Sequence, residues 1–420
     1  MEQTRTHGGD EAQDRDCARD TGEDRGHNRP VPRRRAAILA AAGLLMFGAC
    51  AAVAGADGGG PAWSEREPEP HVVSEQAEFR VVEVVTGLSR PWGLAFLSED
   101  RALVTERSGR LYLVEFAGAE VKRLGGLPQI ATGGQGGLLD VAVDPEYEQN
   151  GWIYFTYSQS YDGGTGTTLA RARLSGTELT ELEELFRMQP PGSGGRHFGS
   201  RIAFLPDHTV VISIGDRGAQ NRAQNFQDHA GSLVRLNRDG SVPDDNPFLG
   251  DPDVLDELYT LGNRNPQGLV LHPETGVLWQ HEHGPRGGDE LNRLSPGSNY
   301  GWPVATHGRD YSGARITPHR SLPGKEDPLH VWTPAIAPAG MSQYRGDLFP
   351  ELAGDLLIAG LVARSVVRVH LDGTTVADTS RLFDDLDRRV RDVRVGPEGA
   401  LYLLTDHADG ELIRITPAGD

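Results

Sequence analysis

Cysteine is almost missing from these 420 residues: only Cys17 and Cys50 occur, and both precede the stretch that reads as folded. A disulfide framework and a cysteine-based zinc site are excluded there, so any metal must be held by oxygen or histidine. Net positive charge is absent as well. The formal charge of −19 argues against nucleic acid or an anionic membrane surface as the main partner. Lysine is rare, and the basic residues are nearly all arginine. No P-loop, no Rossmann glycine fingerprint between strand and helix, and no serine nucleophile elbow is present. One long apolar run exists, Ala36 to Ala56, directly after Arg33-Arg34-Arg35. A positive flank, an apolar centre and small residues at the end make an export signal. Its 21 residues would also span a bilayer if retained as an anchor. Cys50, after Phe47-Gly48-Ala49, offers lipidation as a third outcome. All three place the rest of the chain outside the cytoplasm, in the periplasm or the extracellular space.

What the chain has in plenty is glycine and proline, 54 and 27 residues, which suits many short strands joined by tight turns. Four segments are expected: a polar extension at 1–35, the signal or anchor at 36–56, a Gly-, Pro- and Glu-rich linker at 57–77, and a folded domain at 78–418. Within that domain one phrase recurs, an apolar alternating run, a turn, and a second apolar run. Leu139-Asp140-Val141-Ala142-Val143 leading to Trp152-Ile153-Tyr154-Phe155 is one case, and Asp392-Val393-Arg394-Val395 leading to Leu401-Tyr402-Leu403-Leu404 is the last. The fifth occurrence, around Met341 to Tyr344 and Asp355 to Ile358, is looser. Six such hairpins predict an all-β fold, a six-bladed β-propeller. Pairing Phe79–Val85 with Glu411–Ile415 in one sheet would close the ring and remove exposed edges.

In a propeller, the loops entering each innermost strand gather at one mouth of the channel, and here those loops are polar. They contain Gln135 in Gly133-Gly134-Gln135-Gly136-Gly137, His197 in Arg196-His197-Phe198-Gly199, Arg264 and Asn265 in Gly262-Asn263-Arg264-Asn265-Pro266, and Arg389 and Arg391 before Asp392. His197, flanked by glycines, has a free pKa suited to a general base, although most loop histidines carry out no catalysis. Asp216, at the end of the same hairpin, could orient its imidazole or merely form a turn. Arg264, Arg389 and Arg391 could clamp carboxylates or polarise a carbonyl, or simply pair with Asp385, Asp387 and Asp392. Trp302 and Tyr311 could stack on a planar ligand or fill core. Glu282-His283-Gly284-Pro285-Arg286-Gly287-Gly288-Asp289-Glu290 sets carboxylates beside a Gly-Pro break. Carbonyls freed by such a break are oxygen ligands of the kind Ca²⁺ prefers, and a solvated loop could carry the same residues.

Taken together, Gln135-Gly136-Gly137-Leu138-Leu139, Arg196-His197-Phe198-Gly199, Arg264-Asn265-Pro266-Gln267-Gly268, the 282–290 segment, Asn299-Tyr300-Gly301-Trp302-Pro303 and Arg391-Asp392-Val393 are a specific set. Over about residues 78 to 418 the chain resembles the soluble pyrroloquinoline-quinone (PQQ) dependent aldose sugar dehydrogenases of the glucose/sorbosone dehydrogenase family. The resemblance implies PQQ over the channel mouth and oxidation of aldoses at C1 to lactones. His197 would take the proton of the anomeric hydroxyl as hydride passes to the quinone, Asp216 would hold His197, and Arg264 would stabilise the charge developing on the quinone oxygen. It further implies that Gln135, Asn265, Thr306, Tyr311, Arg389 and Arg391 contact PQQ. Main-chain oxygens of Gly284 and Pro285 would hold one Ca²⁺, and Glu290, the Tyr300 carbonyl and Asp310 a structural second. A cofactor-contacting lysine of several relatives is Val362 here, with Arg364 a candidate substitute. The implied partners are an aldose substrate and an unidentified electron acceptor, with no nucleic acid, membrane attachment only through the N-terminal segment, and a monomeric state. Two other readings stay open: a Ca²⁺-dependent lactonase propeller, and a cofactor-free extracellular binding propeller.

Overall fold

The computed structural model describes residues 60–63, 69–74 and 77–418. The expected polar extension and signal or anchor segment lie outside the described residues, as do residues 57–59, 64–68 and 75–76 of the expected linker. Among the described residues no helix is long and apolar enough to cross a membrane.

The recurring phrase forms the inner two strands of each of six antiparallel blades. Five of them are four-stranded, and the sixth is part of a six-stranded sheet in which Ala62–Trp63 and Glu69–Ser74 also pair with Ala77–Leu88. Innermost strands are Pro91–Ser98, Leu138–Val143, Ile202–Phe204, Pro266–Leu271, Pro338–Gln343 and Val390–Val395, for blades 1 to 6. Each contacts the innermost strand of the next blade, so the six line a central channel. Even the loose fifth hairpin keeps register, Met341 opposite Ile358 and Gln343 opposite Leu356. Alternation in the sequence becomes alternation of sides, because successive strand residues face opposite neighbours. Both sides of a blade are covered, and the apolar sets meet in six seams. Leu138, Phe155 and Ala170 pack against Leu103 and Leu113 between blades 1 and 2, for example. Met341, Leu356 and Ile358 meet Trp279 and Leu291 between blades 4 and 5.

The ring closes as the ends of the sequence suggest. Blade 6 takes three strands from the C-terminal side, ending in Gly410–Pro417, and its fourth strand, Ala77–Leu88, from the N-terminal side. Val85 lies opposite Leu412 and Val81 opposite Ile415. Apolar residues of both ends then enter the seams, Val85 and Leu412 toward blade 1 and Val81 and Ile415 toward blade 5. Closure thus adds core packing to the paired edge.

The channel is plugged below its mouth. Arg201 is fully buried between Asp140, at 3.1 Å, and Asp392, at 3.4 Å. Arg394 pairs with Asp392 at 3.0 Å and with Asp140 at 3.5 Å. The Arg201 guanidinium also lies 3.9 Å from the Trp92 ring centroid. These four acidic and basic side chains form the floor on which the mouth loops rest.

Candidate active site

The loop into blade 3 is built around His197. Its backbone is in the left-handed region, φ 55°, a conformation that costs a residue with a Cβ roughly 1–2 kcal/mol and persists only where surroundings impose it. The surroundings are explicit. Gln135 Oε1 accepts the His197 backbone N–H at 2.8 Å, and Asn265 Oδ1 accepts that of Gly199 at 3.2 Å. Gly215 passes so close that a Cβ there would sit 2.3 Å from the His197 carbonyl oxygen.

Held in this way, the His197 ring meets Asp216 with Nδ1 2.6 Å from Oδ1. Asp216 also accepts the Gly218 backbone N–H at 2.6 Å and, through Oδ2, the indole N–H of Trp302 at 2.8 Å. Burial would raise the Asp216 carboxyl, yet the His197 hydrogen bond and the nearby charges hold it below the usual carboxylate range. An ionised Asp216 fixes the proton of neutral His197 on Nδ1 and leaves Nε2 as the basic nitrogen. Burial, and after it the positive charge of Arg264, push the imidazole below its ordinary pKa against the pull of Asp216. His197, Asp216 and Arg264 are therefore one electrostatic unit, although the first and last are 67 positions apart in the chain.

Arg264 donates from Nη1 to the His283 and Gly284 carbonyls, each at 3.1 Å, and its guanidinium lies 5.4 Å from the Trp302 ring centroid. Its backbone is anchored by Glu282, which accepts the Arg264 N–H, the Asn265 N–H at 3.1 Å and an Asn263 amide N–H at 3.1 Å. Asp289 braces the next turn, accepting from the Gly284 N–H at 2.9 Å and from those of Ile336 and Ala337 at 2.8 Å. Burial raises Glu282 to about 7 and Asp289 to about 6. Glu290 is pushed well above its ordinary value by burial and by these two neighbours. Three buried carboxyl groups so close together form a region behind Arg264 that resists further negative charge.

The other expected residues fall on the same face with different partners. Thr306 is buried, its hydroxyl accepting the Gly308 N–H at 3.1 Å. Its loop docks beside Gly284 and Pro285 through the Arg286 N–H and the Arg309 carbonyl, 2.9 Å apart. Tyr311 stands at the tip of that loop, 62% exposed. Asp310 occupies the same exposed turn and accepts the Ser312 N–H at 2.8 Å. The Tyr300 backbone N–H donates to the Leu261 carbonyl at 2.8 Å. Arg389 and Arg391 pair with Asp406, at 3.3 and 3.1 Å, in place of the acids nearer in sequence. Arg364, the candidate substitute for the lysine of the relatives, holds Asp387 at 2.5 Å from Oδ1 and 2.7 Å from the carbonyl, beside an exposed Val362. The Trp302 ring is buried, with its indole N–H donated to Asp216 and the Arg264 guanidinium beside its face.

The sequence did not disclose Asp406, the bracing role of Glu282 or the function of Trp302. A signal existed for the two acids. Asp216, Glu282 and Asp406 each stand at or just past the end of the second strand of a blade, the position that opens onto the mouth.

The family profile for Glucose / Sorbosone dehydrogenase matches residues 88–414. The chain belongs to this family. Among curated proteins, this glucose/sorbosone dehydrogenase family member is similar to the aldose sugar dehydrogenase YliI of Escherichia coli strain K12, 39% identical over 79% of this chain and 91% of that protein. Among solved structures, the apo-form of the soluble aldose sugar dehydrogenase from Escherichia coli shares 39% identity, with a TM-score of 0.78 over 81% of this chain and 99% of that one. The PQQ-bound form of aldose sugar dehydrogenase from Streptomyces coelicolor is 27% identical, with a TM-score of 0.65 over 81% of this chain and all of that one. The His197–Asp216–Arg264 unit thus sits on the channel mouth of a sugar dehydrogenase propeller.

Proposed function

We propose that this chain oxidises aldoses at C1 to lactones with PQQ as cofactor, after export from the cytoplasm, and as a monomer passing electrons to a separate acceptor. The observation that carries the reading is the ionised Asp216 holding His197 with Nε2 free, next to a guanidinium that keeps the ring neutral. A planar tricarboxylate such as PQQ suits the donor set: Arg264, Arg389 and Arg391 face one mouth, and Arg391 Nε is buried without a partner. When bound, PQQ supplies a two-electron acceptor for the hydride, chemistry that no side chain here can perform.

The chain's own residues bind, orient and move the proton. Nε2 of His197 takes the proton of the anomeric hydroxyl, and the imidazolium that forms is stabilised by Asp216 across the 2.6 Å contact. Arg264 supplies positive charge where negative charge accumulates, preorganised by the His283 and Gly284 carbonyls. Ca²⁺ is supported by the chemistry of the surroundings. The Gly284 carbonyl lies beside the Arg264 guanidinium, and a divalent cation would favour the ionised forms of the buried Glu282, Asp289 and Glu290. Main-chain oxygen dominates this donor set; among the described residues no group of three or more His, Cys, Asp or Glu side chains is arranged to hold a metal.

The lactonase alternative needs side chains free to hold a metal at the channel centre, where Arg201 instead occupies Asp140 and Asp392. Purified protein loaded with PQQ and Ca²⁺ should reduce a redox dye with glucose or another aldose, and should lose that activity to a chelator. His197→Ala should lower kcat by roughly 10²–10⁴-fold while PQQ still binds. Dye reduction at the wild-type rate would remove His197 as the base, and no dye reduction by the loaded wild type would remove the reaction itself.

A further inference from the structure

Positive charge at the seam between blades 6 and 1 exceeds what the acids there neutralise. Arg389 and Arg391 share a single oxygen of Asp406, and the Asp406 backbone N–H returns to the Arg389 carbonyl at 2.7 Å. A third guanidinium comes from a loop with no assigned role. Arg107 lies between the second and third strands of blade 1, and its charge interacts with both Arg391 and Asp406. Burial would raise Asp406, but Arg391, Arg389 and Arg107 together hold it at about 2. Arg389 and Arg391 thus touch one carboxylate, Arg107 acts on it through its charge, and Arg90 adds further positive charge near Arg107.

Their hydrogen bonds are equally incomplete. Arg107 donates from Nη2 to the Gly134 carbonyl, the residue before Gln135, which ties the blade 1 loop to the loop that supports His197. Nε of Arg107 and Nε of Arg391 are buried and meet no acceptor, and Arg391 is only 7% exposed. Buried charged donors left unpaired are costly unless a ligand satisfies them. In a protein of net charge −19, a local surplus of guanidinium around one pivot is a device for capturing an anion. Its planar forks select carboxylate geometry.

We propose that Arg107 is the third guanidinium of a carboxylate-binding cluster with Arg389 and Arg391, gathered on Asp406, and that it binds a carboxylate of the cofactor. This rests on PQQ being that cofactor, and it gives Arg107 a binding role that reaches past the proton-transfer unit.

The test is a PQQ titration of the full chain with Ca²⁺ present, followed by tryptophan fluorescence at several salt concentrations. Arg107→Gln should raise the Kd for PQQ by roughly ten- to hundredfold and flatten its dependence on salt, with Tm in the absence of PQQ nearly unchanged. Arg107→Lys, which keeps charge but loses the fork, should fall between. A wild-type Kd and salt slope for Arg107→Gln would overturn the assignment, as would an affinity loss that merely tracks a loss of Tm. Should the wild-type protein itself not bind PQQ, the proposed function falls first, and citrate becomes the probe of the cluster. Citrate should then raise the Tm of the wild type more than that of Arg107→Gln, and an equal or absent shift in both would refute the cluster.

Discussion

In the proposed reaction His197 works only as a neutral base, so its titration would set the acid limit of activity. Burial and Arg264 lower its pKa, whereas Asp216 raises it. Activity is therefore present above that lowered pKa and lost as pH falls through it. Asp216→Asn should move the acid limb of the kcat profile to lower pH, because the group that favours imidazolium is gone. The same change should cut kcat by roughly 10²-fold or more, since the tautomer is no longer fixed. Arg264→Gln should move the limb the other way, to higher pH, as repulsion of the protonated ring is relieved. Kinetics from about pH 5 to 9, around the ordinary histidine pKa, check both, and limbs moving in the same direction would contradict the electrostatic unit. The histidine and its aspartate were legible in the sequence because glycine-flanked polar residues interrupted strand alternation. For Trp302 stacking and core packing stayed open, and its bond to Asp216 was not foreseen, because a sequence gives no direction for an indole N–H.

At the scale of elements, the site depends on how closely two loops pass. The turn at Gly215 runs beneath His197 with no room for a side chain. Gly215→Ala must displace the His197 backbone, which is already held in a left-handed conformation. Overpacking of this kind typically costs about 1–3 kcal/mol, while a displaced base can lose up to about 10²-fold in rate. We expect kcat to fall by more than tenfold with PQQ affinity retained, measured by steady-state kinetics beside a PQQ titration. An unchanged kcat would show that the loop has slack. The hairpins themselves were readable from alternating apolar residues, including the weak fifth. Partner choice across loops was not, since Arg389 and Arg391 found Asp406 and passed over the closer Asp385, Asp387 and Asp392.

Across the whole molecule, one polar network ties all six innermost strands. Asp392 accepts the Leu94 N–H from blade 1 at 3.1 Å, and Asp140, of blade 2, accepts the Ile202 N–H from blade 3 at 3.0 Å. Arg201 donates to the Gln267 carbonyl of blade 4 at 2.8 Å, and Arg394, of blade 6, to the Met341 carbonyl of blade 5 at 3.3 Å. Arg201→Leu would leave Asp140 and Asp392 buried with Arg394 as their remaining guanidinium. Breaking a buried ionic set by removing one partner costs about 3–5 kcal/mol, and urea unfolding should show a loss of that size. A loss below about 1 kcal/mol would mean that water or a rearranged Arg394 replaces it.

By itself the sequence determined the repeating hairpins, their number and the polar character of the loops between them. Each comes from local spacing: alternation marks a strand with two covered sides, and glycine marks a turn. It also determined that the two ends of the domain carry strands able to pair. Only the tertiary structure decided which polar residues meet. Asp216 meets His197, and Asp406 meets Arg389 and Arg391, within single hairpins, whereas closing the ring brings Arg107 into the field of Asp406 and Arg201 to Asp392 across hundreds of positions. Electrostatic partnership depends on distance and burial in space, and neither quantity is written in the order of residues along a chain.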